Sequence, residues 1–196
     1  FTGQSVWLPV AGDVPPRLLP AGVSGCLVAA DLDADGRTDL VCTAPHNLVL
    51  WNGIDGFSYS RSTALASDGA VMSAAAWDLD EDGWLDLVLS TWMTPKIVLR
   101  NRGARSFENV TSRWGLLYTG MTWLASFLDL DRDGRPDVYF GNDGDNHENY
   151  ALRAEGPGAD GEPRFTRFRP TAPACDYDNL FATSFASPMG MCAGDV

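Results

Sequence analysis

The chain has 196 residues, with 26 acidic and 14 basic side chains, giving a formal net charge of −12. Its few Lys and Arg form no stripe, which excludes nucleic acid as an expected partner, and no segment approaches the roughly 18 to 20 apolar residues of a membrane-spanning helix. Asp outnumbers Glu 21 to 5, so the acidity is concentrated in one short side chain.

In chain order, a first strand is predicted at 25–30, and it runs into Asp31-Leu-Asp33-Ala-Asp35-Gly36-Arg37-Thr-Asp39. Strands at 39–43, 48–51 and 57–61 follow. The second unit predicts strands at 71–77, 86–91, 96–100 and 106–110, with Asp78-Leu-Asp80-Glu-Asp82-Gly83-Trp84-Leu-Asp86 after the first of them. The third predicts 121–128, 137–141, 150–153 and 164–168, with Asp129-Leu-Asp131-Arg-Asp133-Gly134-Arg135-Pro-Asp137 in the same place. The first Asp of each loop recurs at periods of 47 and 51 residues, a spacing that points to a repeat array. Four short antiparallel strands per unit describe a β-propeller blade, so the predicted fold class is an all-β propeller of four-stranded blades. The predicted divisions are 1–21 (a closing strand and linker), 22–63, 64–112 and 113–170 (one blade each), and 171–196 (a linker and the first strand of the next blade).

The pattern D-x-D-x-D-G-x-x-D has the chemistry of a hard-cation loop. Ca²⁺ takes about six to eight oxygen ligands, some from backbone carbonyls, and the chain needs glycine where it reverses sharply. An EF-hand is excluded, because its twelfth position requires a bidentate Glu between helices, whereas Cys42, Leu89 and Phe140 stand there, inside strand-like runs. The expected ligands are the side chains at positions 1, 3, 5 and 9 and the carbonyl at position 7. They are Asp31, Asp33, Asp35, Asp39 and Arg37; Asp78, Asp80, Asp82, Asp86 and Trp84; and Asp129, Asp131, Asp133, Asp137 and Arg135. Twelve of the Asp belong to these loops, and three Ca²⁺ ions would halve the net charge.

Such loops suit a calcium-rich compartment, and the expected location is secreted, extracellular or periplasmic. Cys26 and Cys42 fall on strands flanking the first loop, and Cys175 and Cys192 flank a loop-like stretch; both disulfides and buried thiols are compatible with this pattern. No Cys/His spacing suggests zinc. Asn109-Val-Thr111 matches a glycosylation acceptor, although its place in a repeated strand favours a structural role.

The stretch Ile97-Val-Leu-Arg-Asn-Arg-Gly-Ala-Arg-Ser-Phe107-Glu-Asn-Val-Thr111, followed by Trp114-Gly115-Leu116, resembles the FG-GAP/VCBS repeat of the cartilage acidic protein family. The resemblance spans about residues 22 to 168. The first unit keeps Leu50-Trp51-Asn52-Gly53 and Gly56-Phe57 but lacks the Val-Thr, and the third has an insertion around 156–162. The resemblance implies calcium loops between the first two strands of each blade, as in integrin α-subunits, and a binding or adhesion role with a protein or glycan partner. The segment Phe1-Thr-Gly-Gln-Ser-Val-Trp7 is similar to the outer strand that closes a blade, and the segment 187–196 to the opening strand and Asp of another. Three blades and two partial ones do not close a ring of roughly four to eight blades. The expectation is therefore the N-terminal part of a seven-bladed propeller, whose remainder is its structural partner.

Propeller geometry places the second-to-third-strand loops opposite the acidic loops, near the channel. His46, Trp92, Asp143, Asp145 and His147 are the expected partner-binding residues there, with Asp143, Asp145, His147 and Glu148 a further candidate metal group. Trp77 and Trp123 are expected in cores between blades, while Trp51 and Trp114 fit strand or turn packing. No nucleophile elbow, zincin motif or P-loop occurs, so the reading favours a non-enzymatic module. The alternative is a subunit or fragment of a propeller enzyme with its site in the central channel.

Overall fold

A computed structural model describes residues 25–43, 47–61, 63–67, 70–142 and 149–168. The strands are β1 (Gly25–Ala30), β2 (Asp39–Thr43), β3 (Leu48–Gly53), β4 (Gly56–Ser60), β5 (Val71–Trp77), β6 (Asp86–Pro95), β7 (Ile97–Asn101), β8 (Phe107–Asn109), β9 (Thr119–Leu128), β10 (Asp137–Asn142), β11 (Tyr150–Pro157) and β12 (Pro163–Phe168). A single 3-10 turn, Thr63–Leu65, lies between β4 and β5. No helix among the described residues is long and apolar enough to cross a membrane.

Each run of four strands pairs antiparallel in chain order, giving three blades: β1–β4, β5–β8 and β9–β12. This is the all-β, four-stranded blade architecture expected from the repeat. The period-2 alternation of each strand explains how the blades stack. In blade 2, Leu87, Leu89, Ile97 and Leu99 share one buried cluster with Val41, Val49 and Trp51 of blade 1. On the other face, Val88 and Val98 join Val138, Phe140 and Leu152 of blade 3. Both faces of the sheet are covered, so its central strands read as unbroken apolar runs rather than an alternating pattern. Trp51 and Trp114 are fully buried, one in each of these interblade cores.

The inner strands are also tied by polar contacts. Ser73 Oγ on β5 accepts the N–H of Ala125 on β9 at 2.8 Å and lies 2.7 Å from Ser90 Oγ on β6. The pairings β5–β6 and β9–β10 each carry a register shift near the start of the inner strand. Such a bulge bends and twists the strand.

Two expectations are corrected. The segment 91–96 is not a free loop: β6 continues to Pro95, and its end pairs with β9 through Trp92↔Met121 and Pro95↔Thr119. The backbone finds partners there, with Trp92 N–H donating to Ala70 O at 2.9 Å and Lys96 N–H to Tyr118 O at 3.0 Å. Trp92 packs edge-on against Trp123, with ring centroids 5.2 Å apart, so it cross-links blades 2 and 3. Trp77 is not a core residue either. It is 46% exposed, because it ends β5 where the strand emerges beside the second acidic loop. Trp123 is half-buried in the contact with Trp92. His46, Asp143, Asp145, His147 and Glu148 lie outside the described residues.

Candidate metal centres

All three acidic loops fold by one local rule. The carboxylate at position 1 accepts two backbone N–H groups across the turn: Asp31 from Asp35 and Gly36, Asp78 from Asp82 and Gly83, and Asp129 from Asp133 and Gly134, at 2.8–3.1 Å. The carboxylate at position 5 accepts the N–H of position 7, as Asp82 does from Trp84 at 3.0 Å. These bonds need a left-handed backbone at position 6, where Gly36, Gly83 and Gly134 have φ of 83°, 92° and 88°. Glycine adopts that conformation without steric cost.

The carboxylate at position 9 fixes the loop to its blade. Asp39, Asp86 and Asp137 have no exposed surface. Asp86 accepts Leu79 N–H at 3.0 Å and Asn101 N–H, on the third strand of the blade, at 2.8 Å. Asp39 does the same with Leu32 and Asn52, and Asp137 with Leu130 and Ala154. Burial nevertheless dominates their ionisation. It raises the pKa of Asp39 and Asp137 against the opposing effect of those hydrogen bonds, and pushes Asp86 up to about 7.

The geometry brings together oxygens of Asp31, Asp33 and Asp39, of Asp78, Asp80 and Asp82, and of Asp129, Asp131 and Asp137, each set within 4.8 Å. These three clusters are able to hold a metal ion. All their donors are carboxylate oxygens, the chemistry of a hard cation rather than of zinc or copper. The Asp80 side chain is 1% exposed, and its carboxylate lies against the Arg100 guanidinium and near the Asp82 backbone N–H. Asp33 Oδ1 is buried without a donor. Desolvation is the largest influence on Asp80 and raises its pKa, with the Arg100 charge opposing it.

One feature was missed by reading the sequence. The position-3 carboxylate of every loop faces an arginine from outside the loop. Asp80 pairs with Arg100, Asp131 with Arg153 at 2.7 Å, and Asp33 with Arg105 at 2.8 Å. Arg100 and Arg153 occupy equivalent places on the third strand, just before the residues whose N–H groups reach Asp86 and Asp137. Blade 1 has Trp51 at that place, and Arg105 reaches over from the β7–β8 turn of blade 2, lying 5.1 Å above the Trp51 ring. The Arg100–Asp80 contact is an ion pair without hydrogen-bond geometry, since Arg100 Nε is unsatisfied. The only signal in the sequence was an Arg in two of three equivalent strands, and the third is supplied from 72 positions away.

A family model described as FG-GAP-like repeat matches residues 31–89 and 78–140. The two matches together span 31–140, more than half of the 196 residues. The chain belongs to the FG-GAP-like repeat family. Each match starts on the first Asp of an acidic loop and ends within the second strand of the next blade, so the FG-GAP repeat and the structural unit share one period. No curated protein matches the chain. The Asn-Val-Thr of the second FG-GAP unit is structural in this fold: Asn109 Oδ1 accepts the Thr111 hydroxyl at 2.7 Å and its N–H at 3.1 Å, while Thr111 Oγ1 accepts Val98 N–H at 2.8 Å.

Proposed function

We propose that this chain is an extracytoplasmic, calcium-stabilised propeller module that binds a protein or glycan partner. The observation that carries the calcium reading is the convergence of three carboxylates in each acidic loop, with Asp80 almost wholly buried in the second. Three such clusters, at positions 1, 3 and 9 in the first and third loops and 1, 3 and 5 in the second, offer only oxygen donors and suit Ca²⁺ at each. Asp31, Asp33, Asp35 and Asp39, with their counterparts in the other loops and the carbonyls of Arg37, Trp84 and Arg135, are the ligand set of the proposal. Bound Ca²⁺ would supply the charge that burial withholds from these carboxylates, and would compete with Arg105, Arg100 and Arg153 for the position-3 oxygens.

An oxidising compartment is supported by Cys42, which is disulfide-bonded and stands opposite Cys26 in the β1–β2 register. Disulfides persist outside the cytosol. The three blades among the described residues are fewer than the roughly four to eight of closed propellers, and further blades completing the ring belong to the proposal.

Isothermal titration of metal-stripped protein with CaCl₂ tests the calcium reading. Three bound ions per chain are expected, with a higher melting temperature in Ca²⁺ than in EDTA, because a ligand bound only by the native state stabilises it by mass action. No heat of binding, together with superimposable melting curves, rejects it.

A further inference from the structure

The acidic-loop side of the molecule carries a cavity of about 430 Å³ between blades 2 and 3. It lies in the size range of small-ligand sites, roughly 300–1,000 Å³. We propose that it is a binding site for the ring of a neutral sugar. This deepens the binding-module reading above by naming the class of partner and the place where it docks.

The cavity lining is largely apolar, and Asp78, Asp80, Glu81, Arg135 and Arg164 bring both charges to it. One wall is Trp77, and the other is built from Pro136 and Pro157 at the edge of blade 3. Trp77 is 46% exposed, and its ring contacts Phe127 in a tilted pair with centroids 6.2 Å apart. No described residue accepts a hydrogen bond from its indole N–H.

On the rim, Glu81 of blade 2 faces Arg135 of blade 3. Their closest approach, 3.6 Å from Arg135 Nε, is too long for a hydrogen bond. Among the described residues, Arg135 makes its other ion contact with Asp133, at 3.9 Å. Its guanidinium is seated over Gly156, where φ is +76° and a Cβ would stand 3.2 Å from Arg135 Cζ. The chain thus leaves out a side chain at 156 and holds a guanidinium with unused donors above an apolar floor.

The ligand class follows from this arrangement. An anion would meet Glu81 and the neighbouring loop carboxylates, in a protein of net charge −12. A cation would meet Arg135 and Arg164, which line the same cavity. A pyranose is uncharged and has a C–H face that stacks on an indole. Its hydroxyls both donate and accept, satisfying Glu81 and Arg135 together. A proline-rich peptide also packs on exposed tryptophan, but it extends about 3.1 Å per residue, and the pocket accommodates rings better than an extended run.

The test is saturation-transfer difference NMR on the full chain, in Ca²⁺ and again in EDTA. The probes are methyl glycosides of glucose, galactose, mannose and N-acetylglucosamine, together with maltose, lactose and a decaproline peptide. Transfer to the ring C–H protons of at least one glycoside is expected. Affinity should fall at least about tenfold, equivalent to about 1.4 kcal/mol, in Trp77→Ala, because the aromatic face that stacks on the sugar is removed. It should be largely retained in Trp77→Phe, with the melting temperature of both variants confirming that they are folded. Three outcomes overturn the proposal: no transfer to any sugar in either buffer, transfer unchanged in Trp77→Ala, or binding of decaproline alone. Loss of the calcium reading would show separately, as absence of Ca²⁺ binding with sugar transfer still measurable.

Discussion

Asn101 donates its side-chain amide to the carbonyl of Leu32, 69 positions earlier, at 2.7 Å. Leu32 belongs to the acidic loop of blade 1, and Asn101 ends the third strand of blade 2. The same amide donates to Leu85 O at 3.1 Å, and Asn101 Oδ1 accepts Gly103 N–H at 3.0 Å. One buried side chain therefore joins two acidic loops and a hairpin turn. Asn101→Ala leaves these backbone groups unpaired out of water, and each such group costs about 1–3 kcal/mol. A loss of at least about 2 kcal/mol is expected from urea unfolding. A change within about 0.5 kcal/mol, the size of an ordinary surface substitution, would show that the bridge carries no weight.

The loops differ in how their position-3 carboxylates are neutralised, which makes Arg100 informative. Arg100 contacts Asp80, Asp82 at 3.1 Å and Glu162 at 3.5 Å. Replacing it with Gln removes a cation that competes with Ca²⁺ for Asp80. The second site is expected to bind Ca²⁺ several-fold more tightly in titration calorimetry, while the metal-free protein melts at a lower temperature. Weaker Ca²⁺ binding would mean that Arg100 orients the ligands rather than competing with the ion.

Asp80→Ala separates the three sites. Only the second loop loses a ligand, so stoichiometry by calorimetry should fall from three ions to two. Asp86→Asn tests a different property. Both Asp86 oxygens accept backbone N–H groups, and an amide turns one acceptor into a donor facing another donor. A loss of about 1–3 kcal/mol is expected even without metal, and an unfolding curve identical to wild type would contradict it.

Lys96 gives the protein an alkaline signature. Its ammonium is buried, donates to Thr91 O at 2.7 Å and Gly120 O at 3.0 Å, and has no carboxylate partner among the described residues. Burial lowers its pKa from 10.5 to about 8. Below about pH 8 both folded and unfolded chains hold the proton, and the folded state carries the cost of a desolvated charge. Between about pH 8 and 10.5 the unfolded chain binds more protons, so the Lys96 contribution makes stability rise with pH. Wild type minus Lys96→Met, followed by urea unfolding across that window, should show this rise. A flat difference would mean that Lys96 titrates normally.

The disulfide at Cys42 supplies a final check. Cys42 is buried in blade 1 beside Leu48 and Leu50. Cys42→Ser is expected to lower the melting temperature under non-reducing conditions, since removing a native disulfide costs about 2–5 kcal/mol in small domains. A non-reducing peptide map identifies its partner directly, and a free thiol at Cys42 would overturn the assignment.

The sequence by itself determined the repeat, the strands and the acidic loops. β1, β2 and β5 fall on their predicted boundaries, and most others within one or two residues, because apolar runs bounded by Asp and Gly are a local signal. The loop conformation was equally legible, since glycine at position 6 and Asp at positions 1, 5 and 9 each act on backbone groups a few residues away. Tertiary structure alone decided the fate of Trp92, whose strand continues because β9 of the next blade offers backbone partners. It also decided that Trp77 stands exposed at a cavity and that Arg105 covers Asp33 across a blade boundary. Those outcomes depend on which blade lies beside which, over separations of tens of residues, and no short-range pattern encodes them. The acidic loops are written in the sequence, while the arginines that face them and the cleft between them exist only once the blades stack.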